Sequence, residues 1–388
     1  MYLPQLLKTL EKIEFGSLDL TTPDKKNYRF DGQHSGVAAH LELRDASIIP
    51  AIFSEGSVAM ARTYKEKLWD TDDLVGLMEF VLQNEEHTGL GMSTSWIKRI
   101  LMRMHYMLQR NSIKGSLKNI AAHYDLGNDF YALWLDDSMT YSSGIFKSPD
   151  ESLEQAQRNK YDRILGCLNY LDGASQHILE IGCGWGGFAE RLLSRTNHQI
   201  KGITLSLEQY KYARQRLKKY GNRAGIFLQD YRRQHDQYDA IVSIEMFEAV
   251  GEAYWPVYFR KIANILQKNG KAVIQTITID DACFDLYRKS TDMIRSYIFP
   301  GGMLPSPSRF QSEAVKAGLK IVHQCTFGAS YAQTLQCWLD RFHASEHLVR
   351  NTHRDDAFIR LWRFYLCFCM VGFRSGRTDV MQAELIHA

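Results

Sequence analysis

The stretch LEIGCGWGG, residues 179–187, places four glycines within six positions directly after an apolar run. HILEIG has the pattern of a strand and GFAERLLSR (187–195) has the pattern of a helix, so the glycines lie in the turn between them. Glycine permits positive φ and lets a ligand touch the backbone without a Cβ in the way. Amides at a helix N-terminus can hydrogen-bond a carboxylate or a phosphate. The sequence therefore predicts a ligand-binding turn, formed by Gly182, Gly184, Gly186 and Gly187.

The residues on either side of this turn bear on which ligand it binds. A glycine-rich turn also suits dinucleotides, but the dinucleotide spacing G-x-G-x-x-G is only loosely met here. Glu180 lies inside the strand, two residues before the first glycine, as is characteristic of S-adenosylmethionine methyltransferases. A ribose-binding acid is usual at the end of the next strand, and this chain has Thr204 and Gln209 there instead. Together these features favour S-adenosylmethionine over NAD.

Apolar segments on both sides of the turn predict the fold. HILEIG, QIKGITL, YDAIVSI and KAVIQTI are strand candidates, with GIFLQ as a further one, and helical stretches such as 207–220 and 255–267 separate them. This alternation implies parallel strands joined by right-handed crossovers, a doubly wound α/β sheet. We assign residues 121–388 to such a Rossmann-like class I methyltransferase domain.

Two further zones precede this domain. Residues 1–94 combine short alternating segments with one amphipathic helix candidate, 72–84, which predicts a small α+β domain without a catalytic constellation. Residues 95–120 predict a basic amphipathic linker helix, with six Lys or Arg residues and no acid between Trp96 and Lys118. Such a helix can lie on an anionic bilayer. A domain-connecting helix with a solvated basic face is the alternative.

The composition excludes several classes of protein. A chain of 388 residues with 45% apolar residues has room for two or three domains with a sizeable core. A net charge of +3 is too mild for a dedicated nucleic-acid binder. Seven cysteines without a C-x-x-C pair argue against a disulfide framework and a zinc site, so no metal is expected. No signal peptide is expected, and the apolar run 357–373 is too short to span a membrane, which favours the cytoplasm.

Six motifs in order identify a family. They are AAHYDLGNDFYALWLDDSMTYSSGIF (121–146), LEIGCGWGGFAERL, GITLSLEQ, SIEMFEAVGEAYWPVYF (243–259), YIFPGGMLPS (297–306) and SYAQTLQCWLDRF (330–342). Together they resemble the cyclopropane-fatty-acyl-phospholipid synthase family of S-adenosylmethionine-dependent lipid methyltransferases, over roughly residues 115 to 380. The N-terminal zone resembles the extra lipid-associated domain of bacterial members.

The resemblance implies a set of cofactor contacts. S-adenosylmethionine is the implied cofactor, bound by the glycine turn, by residues before it and by the ends of the next two strands. Besides Glu180, Gly182 and Gly184, the implied residues are Tyr141 and Ser142, Thr204 and Gln209 near the ribose, and Asp230 and Tyr231 beside the adenine.

The resemblance also implies the chemistry. The family directs a sulfonium methyl onto the cis double bond of an acyl chain, and the resulting carbocation needs shielding from water. Aromatic faces supply that shielding and stabilise positive charge by roughly 0.5–2 kcal/mol each. The candidate wall residues are Tyr141, Phe247, Tyr297, Phe299 and Tyr331.

The proton acceptor of the family is a bicarbonate ion held by a Cys, a Glu, a His, a Tyr and a backbone N–H. Glu248, Tyr331 and the backbone of Ile277 align with three of these ligands. Ser143 stands in place of the Cys and Gln275 in place of the His. A hydroxyl and an amide can still donate hydrogen bonds to an anion, so a bicarbonate site stays chemically feasible. Neither group can supply the positive charge of an imidazolium.

These replacements leave the product open. Loss of a proton from the added methyl carbon closes a cyclopropane ring, which is the commonest activity of the family and the first expectation. A hydride shift before deprotonation would give a methyl- or methylene-branched chain, in some relatives with a separate flavin reductase. An amine N-methyltransferase is the less favoured alternative, because such plant enzymes lack the N-terminal domain.

The expected partner is an unsaturated phospholipid in an anionic membrane surface, and nucleic acid is not expected. We expect the protein in the cytoplasm, associated peripherally with the inner membrane surface. A homodimer stays open.

Overall fold

The computed structural model describes residues 2–89, 111–112, 115–116, 126–168, 175–352 and 354–388. Two compact units divide the chain. The first comprises the described part of residues 1–106 with residues 286–298 and 342–372, and the second comprises the described part of 107–285 with 299–341 and 373–388. The two later segments of the first unit lie within the range that the sequence boundaries assign to the catalytic domain. Apart from residues 111, 112, 115 and 116, the predicted linker helix 95–120 lies outside the described residues.

The first unit contains a four-stranded sheet. Its strands are β1 (Phe15–Thr21), β2 (Asn27–Asp31), β3 (His34–Leu43) and β4 (Trp69–Asp70), in the order β2-β1-β3-β4. β1 pairs antiparallel with β2 and parallel with β3. The helices of this unit are Leu3–Leu10, Ile49–Glu55, Ser57–Lys65, Leu74–Gln83, Glu85–Thr88 and Glu346–Asn351, with a π-helix at Ile294–Ile298 and most of Asp356–Arg374.

The second unit contains a seven-stranded sheet. Its strands are β5 (His177–Ile181), β6 (Gln199–Thr204), β7 (Ala224–Leu228), β8 (Tyr238–Ile244), β9 (Leu266–Ile279), β10 (Leu319–Thr326) and β11 (Thr378–His387), in the order β10-β11-β9-β8-β5-β6-β7. The five strands from β9 to β7 are parallel, and β11 pairs antiparallel with both β9 and β10. The predicted α/β Rossmann-like fold is confirmed, with two further strands, β10 and β11, that the strand patterns do not indicate.

Helices connect these strands. They are Asn128–Ala132, Leu153–Cys167, Gly187–Arg195, Leu207–Leu217, Trp255–Ile265, Asp281–Lys289, Pro307–Lys316 and Gly328–Ala344. The helices predicted from residues 187, 207 and 255 are confirmed, and the last two end at Leu217 and Ile265 rather than at 220 and 267. Ser206 caps the second of them by accepting from the backbone N–H of Gln209 at 3.3 Å. None of the helices in the described residues combines the length and apolar character needed to cross a bilayer.

The apolar core of the second unit holds the glycine turn in place. Phe188, Leu192 and Leu193 on the helix Gly187–Arg195 belong to one buried cluster with Ile178 on β5 and Ile200 on β6. Burying side chains of this size stabilises the fold by about 1.5–3 kcal/mol each. The helix that follows the turn is therefore packed firmly against the sheet.

The order of the strands creates a crevice at one edge of the seven-stranded sheet, where the chain reverses direction across the sheet. β5 lies between β6 and β8, so the chain runs outward from β5 in one direction through β6 and in the other through β8. Open α/β sheets bind ligands outside the carboxyl ends of the strands at such a point of reversal. The glycine turn follows β5, and Glu245 and Glu248 follow β8. All three therefore lie at the edge of the sheet where a ligand is expected.

In the first unit, one buried amide joins a strand to a helix. Asn84 is 1% exposed, and its Oδ1 accepts from the backbone N–H groups of Glu14 and Phe15 at 2.8 and 3.0 Å. Its Nδ2 donates to the carbonyls of Phe15 and Phe80 at 2.9 and 3.0 Å. The side chain thus satisfies four backbone groups at the junction of β1 and the helix Leu74–Gln83.

We expect Asn84→Ala to lower the free energy of unfolding by about 2–4 kcal/mol, because it leaves buried N–H and C=O groups without partners. Urea denaturation followed by circular dichroism measures the loss. Asn27→Ala is the control, since Asn27 is exposed and its side chain accepts from Thr21 at the surface. A loss for Asn84→Ala no larger than that of the control would contradict this role.

Candidate functional site

The turn after β5 has the backbone that its glycines predict. Gly182, Gly184 and Gly186 have φ of +81°, +52° and +84°, a region that side chains rarely adopt. A Cβ added at Gly182 would lie 2.9 Å from Cγ of Met246, whereas one added at Gly184 would meet nothing within 4 Å. The turn is thus packed on one side and open at Gly184, as a cradle for a ligand requires.

The end of β6 carries the two polar residues predicted near the ribose. Thr204 and Gln209 are each 5% exposed, and the Thr204 hydroxyl donates to Oε1 of Gln209 at 2.8 Å. This bond uses the carbonyl of Gln209 and leaves its amide nitrogen as a donor for a ligand hydroxyl. The two side chains are preorganised for such a contact.

Glu180 lies within β5 and is 2% exposed. Its Oε2 has no hydrogen-bond partner among the described residues. Burial raises the pKa of this carboxyl well above its usual value, and the positive charge of Lys160 opposes that rise. A buried acceptor without a partner beside the glycine turn fits a ligand that brings its own hydrogen-bond donor or positive charge.

The predicted adenine residues already have partners. Both carboxylate oxygens of Asp230 accept from Arg232, at 2.9 Å from Nε and 2.6 Å from Nη2. Arg232 also donates to the carbonyl of Asn111 at 3.0 Å. Asp230, Tyr231, Arg232 and Asn111 line a small cavity of about 30 Å³. Asp230 is thus held by Arg232 at the edge of this cavity.

The neighbouring residues Tyr141 and Ser142 have different surroundings. Tyr141 lies among aromatic rings, and Ser142 contacts a buried lysine. The ring of Tyr141 lies 5.4 Å from that of Trp338 and 6.4 Å from that of Phe299. The Ser142 hydroxyl accepts from Nζ of Lys160 at 2.6 Å, and Lys160 is fully buried. Ser142 therefore contacts a buried cation rather than an aromatic ring.

The predicted aromatic wall is only partly assembled. Tyr331 lies 6.1 Å from Trp338, which places Tyr331, Trp338, Tyr141 and Phe299 in one connected group of rings, called here the aromatic wall. Phe247 instead is fully buried and stacks on Trp255 at 5.6 Å, so it belongs to the core. Tyr297 belongs to the first unit.

Three of the residues aligned with the bicarbonate ligands converge on a side-chain carboxylate outside the predicted set, that of Glu245. Oε1 of Glu245 accepts from the backbone N–H of Ser143 at 2.9 Å and from Nε2 of Gln275 at 2.7 Å. Oε2 of Glu245 accepts from the hydroxyl of Tyr331 at 2.7 Å. The Ser143 hydroxyl itself donates to the carbonyl of Gly144 at 2.8 Å. Three of the predicted residues therefore meet at Glu245.

Glu248 has its own partners. Its Oε1 accepts from the backbone N–H of Ile277 at 2.5 Å and from the hydroxyl of Thr276 at 3.0 Å. Its Oε2 is buried and has no partner within the described residues. The Ile277 backbone N–H, predicted as a donor to bicarbonate, thus donates to Glu248, another of the predicted ligands.

Burial and mutual repulsion set the charges of this carboxylate pair. Burial, and then the negative charge of Glu245, raise the pKa of Glu248 to about 8. Burial also raises the pKa of Glu245, but the positive charge of Lys160 and the three donors oppose that rise. Burial lowers the pKa of Lys160 to about 7. Glu245, with Lys160 and three donors opposing the rise, is therefore the member of the pair better suited to carry the negative charge, whereas the neighbouring charge raises the pKa of Glu248 further.

Glu245 and Lys160 are absent from the predicted site. Glu245 directly follows a predicted strand, so the rule that places Glu248 at the carboxyl edge of the sheet applies to Glu245 as well. Lys160 lies within the helix Leu153–Cys167 and carries no motif. His123, considered as a gate to the acyl pocket, lies outside the described residues. Within the described ranges, no group of three or more His, Cys, Asp or Glu could hold a metal.

Comparison with known proteins finds a matching family, similar relatives and similar solved structures. Residues 111–383 match the family described as mycolic acid cyclopropane synthetase. The tuberculostearic acid methyltransferase UfaA1 of Mycobacterium tuberculosis is 35% identical over 353 residues, covering 88% of this chain and 82% of that one. The cyclopropane-fatty-acyl-phospholipid synthase of Escherichia coli is 32% identical over 379 residues, 94% of each chain. The crystal structure of the mycolic acid cyclopropane synthase CmaA1 complexed with SAH and CTAB is similar with a TM-score of 0.64 and 29% identity, over 69% of this chain and 97% of that chain.

Gly184→Ala tests the cradle. A methyl group there occupies the open space of the turn, so we expect S-adenosylmethionine to bind at least about tenfold more weakly, which is ~1.4 kcal/mol. Gly221→Ala is a matched control, because Gly221 has φ of +56° and also nothing within 4 Å of an added Cβ. Isothermal titration calorimetry measures binding for both variants. Equal affinity of the two variants would refute a cradle at Gly184.

Glu248→Gln tests the protonation of the carboxylate pair. The folded protein keeps the Glu248 proton up to about pH 8, whereas the unfolded chain loses it near 4.5, so this group favours folding less as pH rises between these values. We expect wild type to lose about 1–3 kcal/mol more stability than Glu248→Gln between about pH 6 and pH 9. Thermal or urea unfolding at each pH measures it, and the shifted Lys160 is common to both proteins. Parallel pH profiles would be inconsistent with a buried, protonated Glu248.

Proposed function

Because the chain belongs to the mycolic acid cyclopropane synthetase family, we propose that it transfers a one-carbon unit to the cis double bond of an unsaturated acyl chain in a membrane phospholipid. It is an S-adenosylmethionine-dependent enzyme of the cyclopropane synthase and lipid methyltransferase type. The observation that supports the substrate most directly is the buried carboxylate pair that follows β8 and accepts hydrogen bonds from β9, in the same unit as the glycine turn and the aromatic wall.

The glycine turn and the end of β6 are the proposed donor site. When bound, S-adenosylmethionine supplies a methyl group on a positively charged sulfur. Gly182 and Gly184 would let it approach the backbone, and the amide of Gln209 would bind a hydroxyl of the ribose. Further proposed contacts are Tyr141 and Ser142, and, beside the cavity at Arg232, Asp230 and Tyr231.

The aromatic wall is suited to an acyl substrate. Rings exclude water from the reacting carbon atoms, and their faces stabilise a developing positive charge by roughly 0.5–2 kcal/mol each. Tyr331 is held by stacking on Phe373, with ring centroids 4.2 Å apart. Tyr331 belongs to the aromatic wall and also donates a hydrogen bond to Glu245. A carbocation formed beside the aromatic wall is therefore close to the carboxylate pair.

The first candidate product is a cyclopropane. The π electron pair of the alkene forms the new carbon–carbon bond, and the carbon–sulfur bond breaks with its pair left on sulfur. A carbocation then remains on the neighbouring chain carbon. Removal of a proton from the added methyl group leaves the pair that closes the ring.

A branched chain is the second candidate, and two observations favour it. Ser143 and Gln275 depart from the family pattern, and a relative of 35% identity is named a tuberculostearic acid methyltransferase. Here a hydride shift precedes deprotonation, and proton loss gives a methylene- or methyl-branched alkene. A saturated methyl branch then requires a hydride donor, for which a separate reductase is proposed.

Phospholipid at an anionic membrane surface is the proposed source of the acyl chain. The E. coli relative is named for a fatty-acyl-phospholipid product, and residues 95–120 carry the basic pattern that suits an anionic bilayer. The protein would therefore work peripherally at the inner surface of the cell membrane.

Incubation of the purified chain with vesicles of phosphatidylethanolamine and phosphatidylglycerol that carry oleoyl chains tests the reaction directly. With labelled S-adenosylmethionine, we expect label in the acyl methyl esters. Proton NMR distinguishes the products, since upfield ring protons indicate cyclopropane and vinylic protons indicate a branched alkene. Vesicles with only saturated chains are the control. Label that stays out of the acyl chains, or enters a soluble amine instead, would contradict the proposal.

A further inference from the structure

We propose that Glu245 is a built-in proton acceptor that takes the place of the bicarbonate ion implied by the family resemblance. The inference rests on the proposed function and names the base of that same site. Its basis is the carboxylate group itself, which receives the backbone N–H of Ser143, the amide of Gln275 and the hydroxyl of Tyr331 at 2.7–2.9 Å.

The donors are held in position by contacts outside this cluster. Nε2 of Gln382 donates to Oε1 of Gln275 at 2.9 Å, which fixes the Gln275 carbonyl on that side and leaves its NH₂ to donate to Glu245. Phe373 stacks on the ring of Tyr331 at 4.2 Å. The backbone N–H of Glu245 donates to the carbonyl of Gln275 at 2.8 Å. The carboxylate therefore lies in a rigid set of partners rather than in a mobile loop.

Bicarbonate does not fit beside this carboxylate. Of the groups aligned with its ligands, the amide of Gln275 and the hydroxyl of Tyr331 already donate to Glu245. The Ser143 hydroxyl donates to the carbonyl of Gly144, and the backbone N–H of Ile277 donates to Glu248. A second anion would lose these donors and would be repelled by the charge of Glu245. The carboxyl group of Glu245 instead presents the same chemistry as bicarbonate, two oxygens that share one negative charge.

The backbone at Glu245 supports the same conclusion. Its φ is +48°, in the left-handed region that glycine adopts without cost and other residues adopt at a cost of order 1 kcal/mol. A glycine here would remove that strain and also the carboxylate. Strain of this kind concentrates at functional sites, where the surrounding structure holds the residue in place.

Charge and free lone pairs let Glu245 act as a base. The positive charge of Lys160 lowers the pKa of Glu245 and so favours its ionised form, whereas the pKa of the neighbouring Glu248 is raised to about 8. A carboxylate has about four acceptor positions, so one stays available after three hydrogen bonds. That position can take a proton from the cationic acyl chain.

The step balances with this chain and its two substrates. After the methyl transfer, the C–H bond next to the cation breaks, and its electron pair forms either the third ring bond or a carbon–carbon double bond. The proton passes to Glu245, giving a neutral carboxylic acid. Release of that proton to solvent restores the carboxylate, and no oxidant or reductant is consumed.

Bicarbonate dependence and Glu245→Gln test the inference together. In buffer freed of carbon dioxide, we expect wild type to keep its rate within about twofold of that with added bicarbonate, and Glu245→Gln to lose about 100-fold or more of kcat. S-adenosylmethionine affinity should stay within about threefold of wild type. Glu252→Gln is the matched control, because it removes a carboxylate seven residues further along, 3.7 Å from Arg309, and should keep the wild-type rate.

Glu245→Gly provides a second variant that relieves the backbone strain. It frees the donors of Ser143, Gln275 and Tyr331, so we expect it to bind bicarbonate and to recover at least about tenfold of its lost rate when bicarbonate is added. Carbon NMR of isotope-labelled bicarbonate measures that binding without turnover, and wild type should show none.

The results of these experiments distinguish failure of the proposed function from failure of the role assigned to Glu245. Wild type that forms no product from any unsaturated phospholipid overturns the proposed function, whereas bicarbonate NMR still reports on the site. Wild type that forms product but requires bicarbonate or binds it, or Glu245→Gln that stays active, overturns only the role of Glu245.

Discussion

The parallel pairing of β5 with β8 is the constraint on which the site depends. Its register places Ile178 opposite Ala240 and Ile181 opposite Ser243, so the two strands end at the same edge of the sheet. The glycine turn leaves from one strand and Glu245 leaves from the other, immediately after that edge. A backbone ladder among buried apolar residues thus brings a cofactor cradle and a carboxylate side by side. Shifting this register by one residue would turn every buried side chain of β8 to the opposite face.

The ionisable groups of the site are buried, and burial disfavours their charged forms. The partners of each group therefore decide whether it can hold a charge. Two carboxylates so close together cannot both be ionised at low cost, and one buried lysine offsets only one of the negative charges. Glu245 collects three donors and the influence of Lys160, while Glu248 has two donors and an oxygen without a partner in the described residues. The surroundings therefore favour the negative charge on Glu245 and the proton on Glu248. Pairs of acids whose surroundings separate their pKa values in this way are typical of catalytic sites.

Much of the fold could be predicted because it depends on local pattern. Five strands and the helices that start at residues 187, 207 and 255 follow from apolar runs, glycine turns and caps. The edge strand β10 carries a weaker pattern because it is largely exposed. The antiparallel pairing of β11 with β9 joins residues about a hundred positions apart, so it does not show in a local pattern. Phe247 illustrates the same limit within the site. Its aromatic side chain suits a pocket wall as well as a core, and only its stacking on Trp255 shows that it belongs to the core.

By itself, the sequence determined the α/β class, the glycine turn and the type of donor, because each depends on neighbouring residues in one stretch of chain. It also contained all the residues of the carboxylate site. Only the tertiary structure showed which carboxylate accepts the hydrogen bonds of those residues. Ser143, Gln275 and Tyr331 lie 102, 30 and 86 positions from Glu245 along the chain, and the pairing of β8 with β9 and the placement of the helix Gly328–Ala344 bring them within 2.9 Å. Hydrogen bonds require such distances to be met within a few tenths of an ångström, and motif spacing carries no information at that precision.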